Sequence, residues 1–319
     1  MALNLPKNIV VAEVGPRDGL QSFPRWVDTG TKVAMIDRLS NLGLPVIEVS
    51  SFAHPKVVPH LRDAEEVFER IRRRRGTIYR ALVPNARGAE RGAAAKVDEM
   101  LGLITISATY TRKNQNMTID EAIGQNLESF RIAEKHSIPF VMALGMAFWC
   151  AYEGQIPEEN VVAVVRRLHD GGIRRFYLAG SLGMEDPTHV NRLFYRLGEV
   201  FPQAAFGFHI HNLSGMATAN ILAAIDAGAA WLEGAICGIG GGIAMPTTLG
   251  SLGNFPTEDL VTMLSEMGIE TGIDPERTVA LSREIATLIG IEPQSHRGSG
   301  ATRKKVAEIA ITNPNMRYS

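Results

Sequence analysis

The sequence predicts an α/β protein, a closed (β/α)8 TIM barrel with a small C-terminal helical appendage. Eight short apolar segments alternate with eight segments of helical periodicity, and eight such units are the number that closes a barrel. Most of the apolar segments are continuous rather than alternating, as expected of parallel strands buried on both faces. A chain of 319 residues, 45% of them hydrophobic, can build one such core. A doubly wound open sheet also alternates strand and helix, so it remains the rival architecture.

The predicted strands cover residues 9–14, 46–50, 79–83, 103–107, 140–144, 175–179, 205–209 and 231–235. The predicted helices cover residues 30–42, 61–74, 86–95, 119–135, 158–169, 188–199, 215–227 and 257–267. Residues 1–270 are the predicted barrel domain, and residues 271–319 are a C-terminal helical extension, packed on the barrel or partly flexible. Helical patterns within that extension cover residues 275–288 and 304–311.

Composition narrows the possible partners and the compartment. The formal net charge of -1 favours neither nucleic acid nor an anionic membrane. No apolar run reaches the roughly 20 residues of a membrane span, and no secretory signal is evident, so we expect a cytoplasmic protein. The two cysteines, Cys150 and Cys237, are expected to be reduced thiols. The arginine run at residues 72–75 is expected to form the solvated last turn of the second helix, with a phosphate contact as the alternative.

Polar residues at the ends of the first two strands are candidate site residues, because barrel active sites form at the C-terminal ends of strands. The first strand runs into Arg17 and Asp18, which would place a hard oxygen ligand beside a fixed cation; an exposed surface turn is the alternative. Glu48 lies inside the apolar second strand, where an unpaired carboxylate is costly. Pairing of Glu48 with Arg17 is the natural expectation, and a purely structural buried ion pair is the rival interpretation.

The seventh strand carries two histidines, His209 and His211. Because side chains two residues apart in a strand point to the same side, both imidazoles should face the barrel mouth. A single histidine in a strand is usually a core residue with satisfied hydrogen bonds, but this pair suits a bound cation.

The loop after the eighth strand is dense in glycine over residues 237–246, which lets backbone approach a ligand closely. It is not a dinucleotide-binding fingerprint, which requires glycines between a first strand and its helix. Asn254 follows this loop and either supplies a carbonyl oxygen to a metal or anchors a turn.

The sequence resembles the 3-hydroxy-3-methylglutaryl-CoA lyases. The segments that carry the resemblance are VAEVGPRDGLQ, IEVSSF, HPKVVPHLRDAEEV, TRKNQNMTIDEA and CAYEGQIPEENV. The resemblance covers about residues 8–270 in one order and without large gaps. The wider superfamily also holds the isopropylmalate, homocitrate and citramalate synthases, all of them metal-dependent barrels.

The resemblance implies a divalent metal, Mg2+ or Mn2+, held by Asp18, His209 and His211. Asn254 matches the asparagine that completes the metal site of the resembled lyases. A further role for His209 as a catalytic base would require that its second ring nitrogen be free.

Two further catalytic residues are implied by the same resemblance. Arg17 matches an arginine that stabilises an enolate oxygen, and Glu48 matches a glutamate that supports it. The implied substrate is an acyl-CoA thioester.

Three departures from the resembled lyases change the groups around the metal platform. Gly242 stands where those enzymes carry a loop cysteine, in a loop about three residues longer, and Cys237 lies five residues earlier. The lyases carry an aspartate in a Leu-Gly-Asp-Thr segment at the end of the sixth strand, whereas residues 178–181 here read Leu-Ala-Gly-Ser. Asn212 follows the second histidine in place of aspartate, as in the synthases.

Three functional hypotheses follow from these residues. The first is a metal-dependent lyase that cleaves a 3-hydroxy-3-methylglutaryl-CoA-like thioester to acetyl-CoA and a keto acid. The second is a condensing synthase, which the Gly-Pro before Arg17 disfavours, and the third is a non-catalytic metal- and ligand-binding barrel. The basic residues 296–305 are a candidate clamp for CoA phosphates, with a disordered terminus as the alternative. The oligomeric state, a homodimer among the options, stays open.

Overall fold

Eight parallel strands form a closed barrel in the computed structural model, which describes residues 3–240 and 253–312. The barrel closes by parallel pairing of the first strand with the eighth, from Val10 opposite Trp231 to Glu13 opposite Gly234. The strands span Val10–Glu13, Val46–Ser51, Ile78–Leu82, Glu99–Thr105, Phe140–Gly145, Arg175–Gly180, Ala205–Ile210 and Trp231–Gly234. The predicted TIM barrel is confirmed, and closure excludes the doubly wound open sheet.

Helices surround the barrel and continue beyond it. They are α1 (Thr29–Asn41), α2 (Ala64–Arg70), α3 (Ala86–Ala94), α4 (Ala108–Gln115), α5 (Ile119–Lys135), α6 (Glu158–Asp170), α7 (Pro187–Val200), α8 (Ala217–Asp226), α9 (Thr257–Glu266), α10 (Pro275–Ile289), α11 (His296–Ser299) and α12 (Arg303–Thr312). The helix α10 packs against α1, α9 and α11. Within the described ranges, no helix combines the length and apolar character required to cross a membrane.

The second helix is shorter than predicted, and the arginine run lies beyond its end. Ile71 is already extended, with φ -65° and ψ 145°. The backbone N–H of Arg72 donates to Asp37 Oδ1 on α1 at 2.8 Å instead of continuing the helix, and Arg73 pairs with Asp98 at 3.0 Å. The expectation that residues 72–75 form the last helical turn was therefore wrong, because side-chain acceptors on neighbouring elements take over this backbone.

Two other local differences have identifiable causes. The fourth strand begins at Glu99, four residues before the predicted start, because the Glu99 carboxylate is buried inside the barrel beside Arg80. The helix α4 was not predicted; it is short and polar and is capped by Ser107, whose Oγ accepts the Tyr110 N–H at 3.0 Å. A short antiparallel hairpin, Trp149–Cys150 with Gly154–Gln155, follows the fifth strand.

The barrel interior combines apolar and charged layers. Inward-facing apolar residues form one cluster: Leu82, Leu101, Val141, Ala143, Tyr177, Ala179 and Trp231. Trp231 fits because Gly207 faces it, and a Cβ at Gly207 would lie 2.1 Å from the indole ring. The indole Nε1 then donates to Glu233 Oε1 at 3.1 Å. The indole of Trp231 thus provides a hydrogen-bond donor for the Glu233 carboxylate inside the barrel.

Arg80 is fully buried at the centre of a network of interior carboxylates. Its Nε donates to Glu99 Oε1 at 2.7 Å, and its Nη1 donates to Glu233 Oε1 at 2.7 Å. Glu48 Oε2 lies 3.9 Å from Nη1, and Arg175 pairs with the other oxygen of Glu99. Arg80 therefore helps to compensate the charge of three carboxylates, together with Arg17 at Glu48 and Arg175 at Glu99.

Replacement of Arg80 by methionine should strongly destabilise the fold, because it leaves buried carboxylates without their cation. We expect Arg80→Met to lower the free energy of unfolding by about 3–5 kcal/mol, measured by chemical denaturation. The control is Arg70→Met, which removes an exposed pair with Glu66 on α2 and should cost about 0–1 kcal/mol. Equal, small losses in both variants would contradict the role given to Arg80.

Candidate active site and metal centre

Asp18 lies in a single turn of π-helix, Gly15–Gly19, that follows the first strand. The carbonyl of Val14 accepts the backbone N–H groups of Arg17 and Asp18 at 3.1 and 2.8 Å. This turn brings both side chains back over the end of the barrel, as single π turns often do at functional sites. The predicted Arg-Asp pair is therefore part of the barrel mouth, not an exposed surface turn.

Arg17 links the turn after the first strand to the second strand, because it contacts Asp18 beside it and Glu48 on the second strand. Its Nε donates to Glu48 Oε1, and its Nη1 donates to Asp18 Oδ1 at 2.8 Å. All three side chains are largely buried, so the expected pairing of Glu48 with Arg17 is present. Burial opposes ionisation of Asp18, but the charge of Arg17, a hydrogen bond from His211 and the charges of both histidines together hold the pKa of Asp18 well below its usual range.

His209, in the seventh strand, and His211, one residue beyond its end, face Asp18 across a small space. The Nε2 atoms of His209 and His211 are 3.1 Å apart, and they lie 4.0 and 3.6 Å from Asp18 Oδ2. Ligand atoms of these three buried residues all lie within 4.8 Å of one another. Two imidazole nitrogens that face each other at this distance need a proton or a cation between them, so the donor set fits a metal ion.

Glu233 fixes the orientation of the His209 ring. Its Oε2 lies 3.1 Å from His209 Nδ1, and the Tyr177 ring stacks on the imidazole with centroids 5.6 Å apart. With Nδ1 protonated, its N–H donates to Glu233 and the lone pair of Nε2 is free for a cation. The second nitrogen of His209 is thus engaged, which favours a ligand over a base.

The two imidazoles differ in their affinity for protons. Burial lowers the pKa of His209, but the hydrogen bond to Glu233 and the charge of Asp18 outweigh it, so the net pKa is raised. Burial dominates at His211, whose pKa is lowered. Neutral His211 is therefore the readier donor to a metal ion.

Asn254 completes the ring of polar groups around Asp18. Its Nδ2 donates to Asp18 Oδ2 at 2.7 Å and to the Ile239 carbonyl at 3.1 Å. Its Oδ1 is buried and accepts no hydrogen bond from the described residues. Gly240, with φ 141°, makes room for this amide, because a Cβ there would lie 2.1 Å from Nδ2. An oxygen donor is thus available beside the three clustered ligands.

A cavity of about 440 Å³ opens beside these groups. Arg17, Asp18, His209 and His211 are among its lining residues. Apolar and aromatic side chains line much of the remainder, among them Val58, Leu103, Tyr110, Met146 and Tyr177. The arrangement suits a ligand with a charged, oxygen-rich end and a longer apolar or neutral part.

Sequence reasoning missed Glu13 and Glu233, two buried carboxylates that position the site. Glu13 accepts hydrogen bonds from the backbone of Gly15 at 2.7 Å and Ile236 at 2.9 Å and from Thr257 Oγ1 at 2.6 Å. It therefore ties the Asp18 turn to the end of the eighth strand. Glu13 and Glu233 could have been found by the pattern that identified Glu48, which is an acidic residue within or at the end of an apolar strand.

Cys237 points away from the cavity. Its Sγ donates to the Ser282 carbonyl in α10 at 3.0 Å, and burial raises the pKa of the thiol. The side chain therefore does not stand in for the loop cysteine of the resembled lyases. Gly242, the position that matches that cysteine, lies outside the described residues.

Comparison with known proteins gives consistent results. The family model described as HMGL-like matches residues 8–285. The hydroxymethylglutaryl-CoA lyase YngG of Bacillus subtilis is 36% identical over 285 residues, covering 89% of this chain and 94% of the relative. A solved HMG-CoA lyase from Acinetobacter baumannii, in complex with coenzyme A and 3-methylmalate, has TM-score 0.88 and 35% identity over 93% of this chain and 96% of its own. The hydroxymethylglutaryl-CoA lyase of Pseudomonas aeruginosa has TM-score 0.88 and 30% identity, covering 96% and 100%.

The burial of Cys237 predicts a thiol that reacts slowly in the folded protein, because the thiolate is the reactive form. We expect a disulfide reagent to modify neither Cys150 nor Cys237 rapidly under native conditions, since both are buried, and to modify both in denaturant. Cys150→Ala and Cys237→Ala serve as controls for each other. A fast native reaction that only Cys237→Ala removes would contradict this placement.

Proposed function

The chain belongs to the HMGL-like family, and from this premise we propose that it is a divalent-metal-dependent carbon–carbon lyase. The substrate proposed is a 3-hydroxy-3-methylglutaryl-CoA-like thioester, cleaved to acetyl-CoA and a keto acid. The single observation that carries the proposal is the convergence of Asp18, His209 and His211 beside Arg17 in the lining of one cavity.

The similar proteins support the substrate class. The relatives are named hydroxymethylglutaryl-CoA lyases, and the Acinetobacter enzyme was solved with coenzyme A and 3-methylmalate. The cavity here is lined both by the charged groups around Asp18 and by many apolar side chains. An acyl-CoA would place its hydroxy-acid end and its thioester carbonyl at the charged groups, and the rest of the CoA would extend along the apolar side chains.

In the proposed site, Asp18, His209 and His211 hold the cation, and Asn254 supplies a fourth donor. A bound Mg2+ or Mn2+ would polarise the hydroxyl and carboxylate oxygens of the substrate as a Lewis acid. Because Glu233 engages Nδ1 of His209, we assign His209 to ligation and to no proton transfer.

The proposed cleavage separates the bond between C2 and C3 of the acyl group. A base removes the proton of the 3-hydroxyl, C3 becomes the carbonyl carbon of the keto acid, and the bonding pair passes to the thioester as an enolate. The enolate then takes a proton at C2 and leaves as acetyl-CoA. Arg17 stabilises the negative charge on the enolate oxygen, and Glu48 holds Arg17 in place. Such stabilisation acts on charge that develops in the transition state.

The direct experiment is an assay of acetyl-CoA release from 3-hydroxy-3-methylglutaryl-CoA, from its 3-alkyl relatives and from citramalyl-CoA. Release should require Mg2+ or Mn2+, stop with chelator and be abolished by Asp18→Ala, whereas the exposed control Asp170→Ala should keep it. Failure of every thioester to release acetyl-CoA, with metal still bound by the purified protein, would refute the lyase and lead to condensation assays with keto acids.

Arg17→Lys tests the enolate-stabilising role separately. Lysine keeps the positive charge beside Glu48 and Asp18 but loses the planar fork of donors. We expect kcat to fall by about 10²–10³-fold with a smaller change in KM. The matched control is Arg196→Lys, which changes a partly exposed arginine on α7 that pairs with Glu159 outside the cavity. An unchanged kcat in Arg17→Lys would exclude this role.

A further inference from the structure

The sixth strand ends in a glycine, and the carboxyl group of Glu185 from the following loop occupies the volume that a side chain would take there. Gly180 ends the strand, and a Cβ there would lie 2.0 Å from Glu185 Oε1 and 2.5 Å from its Cδ. The carboxyl of Glu185 therefore occupies the volume that a side chain at position 180 would take. The lyases that the sequence resembles carry an aspartate at that position.

Three backbone anchors hold the Glu185 loop against the strand that carries the two histidines. Gly183 donates to the Gly180 carbonyl at 2.9 Å, and Ser214, just beyond the seventh strand, donates to the Gly183 carbonyl at 2.9 Å. The Asn220 side chain in α8 donates to the Glu185 carbonyl at 2.9 Å. The position of this loop is thus fixed relative to the histidine strand.

The carboxyl group itself is buried and incompletely satisfied. Glu185 is 2% exposed, and its Oε1 accepts no hydrogen bond from any residue in the described ranges. Burial raises its pKa to about 7, against a lowering by hydrogen bonds from the backbone of Glu185 and Met184 and, less, by the nearby charge of His209. An acid held in this way is costly to the fold, so glutamine or an apolar residue would be the cheaper choice for structure alone.

Alternation along the sixth strand places this carboxyl behind the cavity wall. Ala179 and Ser181 line the cavity, and Ala179 is opposite His209 in the parallel register. Gly180, one residue on, faces the other side of the strand. Glu185 can therefore act on the metal ligand His209 through its charge and its packing, without contact with the substrate.

We propose that Glu185 is a positioning residue of the metal site, supplying from the loop the carboxyl that the resembled lyases carry at position 180. The inference rests on the proposed lyase function for its catalytic readout. The negative charge of Glu185 stabilises the positive charge of His209 and of a bound cation. The packing of Glu185 on Gly180 fixes the end of the sixth strand beside the histidines.

The test is an exchange of the carboxyl between the two positions. Glu185→Gln removes the charge at nearly constant shape, and the double variant Gly180→Asp/Glu185→Gly moves a carboxyl back onto the strand. We expect Glu185→Gln to lower kcat by about 10–100-fold at pH 8 and to weaken Mn2+ binding, with KM almost unchanged. The double variant should recover most of both losses. Glu158→Gln, which removes a buried acid of α6 outside the site, is the control.

Two readouts keep this inference separate from the proposed function. Mn2+ affinity and Tm are measured on wild type, on Glu185→Gln, on Gly180→Asp and on the double variant Gly180→Asp/Glu185→Gly, whether or not any thioester is cleaved. Gly180→Asp alone should lower Tm, because it crowds two carboxyl groups together, and Glu185→Gly should restore it. If Glu185→Gln keeps wild-type Mn2+ affinity, or a stably folded double variant binds Mn2+ no better than Glu185→Gln, the assignment is overturned. An inactive wild type with the expected Mn2+ and Tm pattern would overturn the lyase proposal alone.

Discussion

The interaction on which the site depends is the sharing of Glu233 between Arg80 and His209. One carboxylate oxygen accepts from Arg80 at 2.7 Å, and the other lies 3.1 Å from His209 Nδ1. A carboxylate this deep in the barrel would be costly without a partner, and the guanidinium supplies that partner. With its charge compensated, Glu233 can fix the tautomer and orientation of the imidazole. The buried charges of the barrel interior and the geometry of the proposed metal site are therefore one system.

A second buried acid, Glu13, positions the backbone at the other side of the barrel mouth. Glu13 holds the backbone of the Asp18 turn and of the residues after the eighth strand, so that Asp18 and Asn254 meet. Arg17 then joins this side to the second strand through Glu48. The groups that would contact substrate are short extensions of rigid strands, and their mutual distances are set by the barrel rather than by mobile loops.

The sequence was sufficient for the fold and for the groups at the strand ends. Eight strand-helix units favour closure over the open sheet, and strand alternation puts His209 and His211 on one side. The contacts that orient these groups were not predictable, because Arg80 and Glu233 are 153 residues apart and meet only when the barrel closes. The contact between Gly180 and the Glu185 carboxyl was also not predictable from the sequence. Only the fold shows that this carboxyl occupies the volume of a side chain at position 180. The helix α2 ended early for a related reason, a long-range hydrogen bond to Asp37.

The most direct measurement of the central claim is anomalous diffraction from crystals of the protein grown with Mn2+. We expect a single strong peak bounded by Asp18 and the Nε2 atoms of His209 and His211, with Nδ1 of His209 still hydrogen-bonded to Glu233. Absence of a peak at these residues, or a cation bound instead through Nδ1 of His209, would contradict the claim that the interior charge network prepares a metal site.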